Sequence, residues 1–285
     1  MIRCFFYFLA GLLIINCQRA DKIVGPYFGN GIKNGWADKN SIVIWTRLTQ
    51  NRDAYFKGES FKEISKDLML SLAKNPNIDS IYNTQIPRGL KLSDMEGYCP
   101  GMEGEVQLQY YLKSNPKEIV ISNWIGVDQN KDFTYQWNLS SLKPGGTYGL
   151  KVFSRQKDSK KIQDSVFGSF ILPKEKLSSD AVKFCVVSCH DFNRRDDLKN
   201  GHKIYPSMDK IKPDFFIHTG DIEYMDKPNP YAMTEELMRF KWNRIFSLPF
   251  QRSFYNKYTS YFMKDDHDIG FNDSYPGRDY GTVTF

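Results

Sequence analysis

Two near-continuous apolar runs, Val182-Lys-Phe-Cys-Val-Val-Ser188 and Asp214-Phe-Phe-Ile-His-Thr219, constrain this 285-residue chain more than anything else in it. Apolar runs without alternation suit central strands buried on both faces of a parallel sheet. Ile204 to Ile211 between them is compatible with a helix, so the stretch reads as a βαβ unit. Thr234 then caps a longer helix carrying Leu237, Met238, Phe240, Ile245 and Phe246, and Tyr258 to Met263 forms a third strand. Each strand runs directly into a polar cluster. These are Ser188-Cys189-His190-Asp191, Gly220-Asp221-Ile-Glu223-Tyr224, and Asp265-Asp266-His267-Asp268-Ile-Gly270-Phe-Asn272-Asp273.

Ligands of α/β sheets bind outside the carboxyl ends of the strands, so position alone makes these clusters a candidate site. All four histidines, at 190, 202, 218 and 267, lie in the last third of the chain, and His190, His218 and His267 fall within or beside the clusters. Asp221, Asp265, Asp266, Asp268 and Asp273, with Asp191 nearby, would repel one another in a sheet-end crevice unless cations neutralised them. Oxygen donors suit hard ions, whereas a thiolate, imidazole or phenolate suits a transition metal, so a mixed pair of ions fits the set. His190 and His218 read as structural histidines, His202 as a surface residue, and Cys185 as a core thiol.

Upstream the texture differs. Residues 21–50 read as two strands ending in Ser41-Ile-Val-Ile-Trp-Thr-Arg-Leu48. Period-two alternation resumes in Glu105–Leu112, Glu118–Ser122, Phe133–Leu139 and Thr147–Phe153, and a final strand, Ser165–Leu172, stops at Pro173. Short strands with turn residues between them are the pattern of a β-sandwich. Leu139-Ser-Ser-Leu-Lys-Pro-Gly-Gly-Thr-Tyr148 resembles the corner of fibronectin type III domains, in which the leucine packs inward and the tyrosine closes the turn. Asn51–Gly104 interrupts the strands as an insertion, with Phe61, Ile64, Leu68 and Leu72 at helical spacing. Lys174 to Asp180 is a polar linker. The organisation read from these signals is 1–17 as a signal segment, 18–175 as a β-sandwich domain with an insertion at 51–104, and 176–285 as part of an α/β domain.

At the N-terminus, Arg3 precedes an apolar run from Cys4 to Ile15 and then Asn16-Cys17. The run is shorter than the roughly 20 residues that span a bilayer, which favours a signal peptide and hence export to the periplasm or cell surface. Its lead into a cysteine resembles a bacterial lipoprotein signal, with Cys17 lipidated after cleavage and holding the protein to a membrane. A plain cleaved signal and an uncleaved anchor are the alternatives. Only Cys99, Cys185 and Cys189 follow, an odd number without a CxxC pair, so a disulfide framework is not expected. The net charge of +6 is spread along the chain; it favours anionic ligands weakly and does not imply nucleic acid as a partner.

Three motifs, Phe184-Cys-Val-Val-Ser-Cys189, Pro213-Asp-Phe-Phe-Ile-His-Thr-Gly-Asp-Ile-Glu-Tyr224 and Asp265-Asp-His-Asp-Ile-Gly-Phe-Asn-Asp273, give the chain its resemblance to the PhoD-like alkaline phosphatase D family, within the calcineurin-like metallophosphatase superfamily. Trp45-Thr-Arg-Leu48 and the sandwich ahead of the α/β part are similar to that family's N-terminal domain. The resemblance implies a fibronectin type III-like β-sandwich followed by the first half of an α/β metallophosphatase domain. It implies hydrolysis of phosphate mono- or diesters at a two-metal site holding Fe³⁺ and Ca²⁺, or another divalent pair. Cys189 would be an iron ligand, Asp221 the carboxylate bridging two metals, Tyr224 a phenolate ligand and Asn272 an amide on the calcium side. For Asp265, Asp266 and His267 three roles stay open: metal ligand, orienting group or proton donor. Purple acid phosphatases share Gly-Asp-x-x-Tyr but would carry Gly-Asn-His where Asp265-Asp266-His267 stands.

Read from the residues alone, Asp221 is also a fair helix cap, Tyr224 a wall residue and Cys189 a buried thiol. The family's later Asp-x-His string has no counterpart here, and the chain closes on the strand-like Tyr280-Gly-Thr-Val-Thr-Phe285, so the expectation is a fragment whose site is incomplete. The alternative of a different class is a surface-anchored binding or adhesion protein whose phosphatase portion is an inactive remnant.

Overall fold

The computed structural model describes residues 25–74, 84–175, 181–232 and 234–275. The signal-like run with Cys17, the 176–180 part of the linker and the closing run 280–285 lie outside the described residues. No described helix is long and apolar enough to cross a membrane.

The chain is rich in strands and forms two sheets. The five-stranded sheet contains β3 (Glu105–Leu112), β4 (Ile119–Ile121), β5 (Ile125–Gly126), β7 (Thr147–Arg155) and β8 (Ile162–Ile171), with order β4-β3-β7-β8 and β5 paired to β3. The six-stranded sheet contains β1 (Ile32–Gly35), β2 (Ile42–Arg47), β6 (Thr134–Leu139), β9 (Phe184–Val187), β10 (Phe215–His218) and β11 (Thr259–Phe262), in the order β6-β2-β1-β11-β10-β9.

Alternation builds the core between the sheets. In β2 the pattern buries Ile42 and Ile44, and in β7 it buries Tyr148, Leu150, Val152 and Ser154. These meet Ile32, Val106, Leu108, Trp137 and Phe170 in one apolar cluster, where the Tyr148 and Phe170 rings stack with centroids 5.0 Å apart. Burying a large apolar side chain is worth about 1.5–3 kcal/mol, so this cluster is a main source of stability. The corner read from the sequence is present: Leu142 is buried and the Tyr148 hydroxyl accepts the Lys143 N–H at 2.7 Å.

The six-stranded sheet carries strands from both expected domains. β1 is antiparallel to β2 but parallel to β11, with Asn34 paired to Thr259 and Gly35 to Ser260. Thus β9, β10, β11 and β1 run parallel, and β2 and β6 close that sheet antiparallel.

One face of the parallel end is covered. Helices α2 (Ile204–Ile211) and α4 (Pro249–Tyr255) bring Tyr205, Met208, Phe254 and Tyr255 onto Cys185 and Phe216. The reading of Val182–Ser188 as a central strand is corrected. Among the described residues β9 pairs only with β10, and Phe184 and Val186 are about half exposed, at 54% and 51%. No described element packs over the face on which Phe184 stacks against Phe215 at 5.2 Å, so the apolar run has cover on one side only.

Helix α3 (Glu235–Ser247) begins at Thr234, whose side chain accepts the Leu237 N–H at 3.2 Å, as the sequence leads one to expect. It carries Leu237 to Phe246 as expected and ends at Ser247; Pro249 opens a separate short helix, α4, that the sequence reading did not place. The insertion packs its apolar residues on α3, where Phe61, Ile86, Leu92 and Met95 join Met225, Ala232, Leu237, Met238 and Phe240, and polar contacts tie it to the strands, Arg52 to Asp164 at 2.7 Å and Arg47 to the Cys99 carbonyl at 3.0 Å. Its helix α1 (Lys66–Lys74) starts later than the spacing predicts and buries Met69, while Leu68 stays exposed.

Candidate metal centre

Parallel neighbours β9, β10 and β11 deliver their carboxyl ends to one edge, which brings the three polar clusters together. The chain turns sharply there. Cys189 and Asp221 both have positive φ, at 59° and 51°, and Gly220 has φ 107°. A side chain at 220 is excluded twice, by that conformation and by Asp265, whose Cβ would lie 2.5 Å from an added Cβ.

Asp221 is the hub. Its Oδ2 accepts the Tyr224 hydroxyl at 3.1 Å and lies 3.6 Å from the Cys189 Sγ. Its Oδ1 is buried without a hydrogen-bond partner. Asp221, Asp266 and His267 each place one donor atom within 4.8 Å of the others. The ring of His267 lies 4.5 Å from that of Tyr224, and its Nδ1 donates to Asp226 Oδ1 at 2.7 Å, which leaves Nε2 as the nitrogen that could take up an ion. Burial first, then the adjacent Cys189 thiol and Asp221 carboxylate, raise the Tyr224 phenol well above its ordinary value. A phenolate at this position therefore needs a cation beside it.

Asp268 braces the loops from below. Its Oδ1 accepts the N–H groups of Ile222 at 2.8 Å and Glu223 at 3.1 Å, and its Oδ2 that of Asp265 at 3.0 Å. Burial raises this carboxyl to about 6 despite those three donors. Asp265 and Asn272 stand apart from the three-donor group. Asp265 is exposed and accepts the Asp266 N–H, and Asn272 is exposed and donates to Asp273 Oδ2 at 2.7 Å.

His190 and His218 are buried and share a hydrogen bond of 2.9 Å, with burial pushing them down to about 3 and about 4. His202 is buried too, a correction to its reading as a surface residue. Its ring packs edge-on against His190 at 4.7 Å and hydrogen-bonds Gln251 at 2.6 Å. Sequence reasoning missed Asp226, the partner of His267, and Lys241, a buried base on α3. The available signal for Asp226 is an acid in the short loop after Asp221; for Lys241 it is a cation interrupting the apolar stripe of α3.

No protein-family model matches the chain, and no curated protein does. Among solved structures, that of PhoD superposes with a TM-score of 0.58 at 16% identity, covering 86% of this chain and 40% of the PhoD chain. A purple acid phosphatase from yellow lupin seeds gives a TM-score of 0.42 at 9% identity, covering 85% of this chain and 36% of that one. The second score is too low to carry an argument. The chain thus shares the fold of a portion of PhoD and spans 40% of that chain's length.

Proposed function

We propose that the chain is a phosphoesterase of the PhoD type, hydrolysing small phosphate mono- or diesters at a two-metal site with Fe³⁺ and Ca²⁺ as its ions. In this reading a β-sandwich carries the first half of a metallophosphatase domain, and the protein is exported and held at the cell surface through Cys17. The carrying observation is the buried Asp221 oxygen without a hydrogen-bond partner, on a carboxylate grouped with Asp266 and His267 and contacted by Tyr224 and Cys189. A buried carboxylate oxygen left unpaired is costly unless a cation takes it up, so the donor set fits a bound metal.

When bound, such ions hold phosphate oxygens and make water nucleophilic near neutral pH. The chain's own residues prepare that site. Asp221 offers two oxygens from one turn, His267 is held by Asp226 with Nε2 available, and the Tyr224 hydroxyl, held on Asp221 Oδ2, would supply a phenolate ligand to a cation there. In the reaction, the water oxygen bonds to phosphorus, the ester P–O bond breaks, and the proton that the water gives up ends on the leaving alkoxide, so one water is consumed for each alcohol released.

The test is hydrolysis of a chromogenic phosphate ester by the purified chain loaded with Fe³⁺ and Ca²⁺. Asp221→Ala is expected to lower the rate by at least about 10²-fold, the scale seen when one electrostatic stabiliser is removed. Retained activity in that variant overturns the bridging role of Asp221, and a folded wild-type chain that takes up no metal overturns the proposal.

A further inference from the structure

Lys241 projects from the middle of α3 and is completely buried. Its Nζ donates to the carbonyl oxygen of Tyr224 and, at 3.2 Å, to that of Lys227, and lies 3.7 Å from Glu223 Oε1. An ammonium has three N–H donors, and three acceptors surround it. Glu223 Oε1 in turn accepts the Tyr224 N–H at 3.1 Å, so both backbone groups of Tyr224 are held by this ion pair. The segment between the two gripped carbonyls contains Asp226, the partner of His267, and Met225, whose N–H donates to the His267 carbonyl at 2.9 Å. One buried cation therefore grips the backbone from which two site groups are aimed: the Tyr224 phenol on Asp221, and the Asp226 carboxylate on His267.

We propose that Lys241 is a positioning residue for the metal centre, setting the placement of Tyr224 and of the Asp226–His267 pair through the backbone of the turn that joins them. A purely structural lysine here would be a poor choice. Its burial beside Glu223 gains little stability by itself, because apolar replacements of buried ion pairs are often neutral or stabilising. The surrounding pair is not fully satisfied either: Glu223 Oε2 and Arg244 Nε and Nη2 are buried without hydrogen-bond partners. A cluster retained at that expense, directly behind the loop that carries the site, is explained by the precision it gives to the loop.

The inference rests on the metal-centre reading for its second readout alone. In the metal-free full chain, ¹⁵N NMR of the imidazoles reports the tautomer of His267, and wild type is expected in the Nδ1–H form that Asp226 selects. Lys241→Met is expected to mix the tautomers and to weaken Mn²⁺ binding, measured by calorimetry, by about 10- to 100-fold, the range for losing a partner of a metal-binding histidine. Lys241→Gln keeps two N–H donors and is expected to fall between. Met238→Ala removes packing from the same helix, including that against Met225, but no hydrogen bond to the turn, and should leave both readouts at wild-type values.

Wild-type tautomer and affinity in a folded Lys241→Met overturn the inference. So does an equal change in Met238→Ala, because general loosening would then suffice, and so does failure of both Lys241 variants to fold. The tautomer needs neither metal nor substrate, so an inactive or metal-free wild type would refute the phosphoesterase reading without deciding this one.

Discussion

Between the two sheets, Ile32, Ile44, Val106, Leu108, Val152 and Phe170 are buried against one another with hardly a charge among them. Beneath the loops that follow β10 and β11, the buried residues include Asp221, Glu223, Asp226, Lys241, Arg244 and Asp268. The first region stabilises the chain by removing apolar surface from water. The second consumes part of that stability to hold carboxylates, a phenol and an imidazole in fixed positions. They meet in one sheet, because β1 belongs to the apolar region and pairs with β11, whose end opens into the site. The apolar half is thus joined to the charged half through one shared sheet.

The largest expected effect tests whether that coupling is real. Phe170→Ala, far from the site, should cost about 3–5 kcal/mol. If the shared sheet makes one cooperative unit, secondary structure and Mn²⁺ binding will be lost in the same denaturant transition. Two separate transitions would break the comparison. Next, Gly220→Ala combines a left-handed backbone with the close approach of Asp265, and should cost about 1–3 kcal/mol. It should impair Mn²⁺ binding with the apolar core untouched, which calorimetry and denaturation together would show.

Lys33 is a third case, a buried cation on the apolar half. Its Nζ sits 4.2 Å from the Trp45 ring and 4.1 Å from that of Phe246, and donates to the Asn30 carbonyl at 3.1 Å. Burial, helped by Arg47, holds it well below its ordinary value of 10.5. The unfolded chain therefore binds this proton more strongly, and stability rises with pH between the folded value and 10.5. Lys33→Met should add about 1 kcal/mol at neutral pH and flatten that rise, as pH-resolved urea melts would show. The smallest effect is expected at the uncovered face: Phe184→Ser should change stability by no more than about 0.5 kcal/mol while reducing self-association in light scattering.

Much of this organisation is legible in the residues. The tyrosine corner, the cap at Thr234 and the strand and helix periods are local signals, each carried by a few consecutive positions. The gathering of Asp221, Asp266, His267, Tyr224 and Cys189 was also foreseeable, because parallel strands place their ends together whatever the intervening sequence. Asp226 and Lys241 were not, since their roles depend on which loop backbone lies against them. His202 reads as surface for the same reason: nothing near it in sequence announces Gln251 or His190.

By itself the sequence determined the elements and the chemistry at their ends, because periodicity, turn residues and donor types act over a few residues. Only the tertiary structure decided that β1 joins β11, that among the described residues β9 pairs with β10 alone, and that the apolar residues of the insertion lean on α3. The reason is physical. Asn34 meets Thr259 across most of the chain, and such a pairing is selected by the packing of whole sheets rather than by any pattern either strand carries.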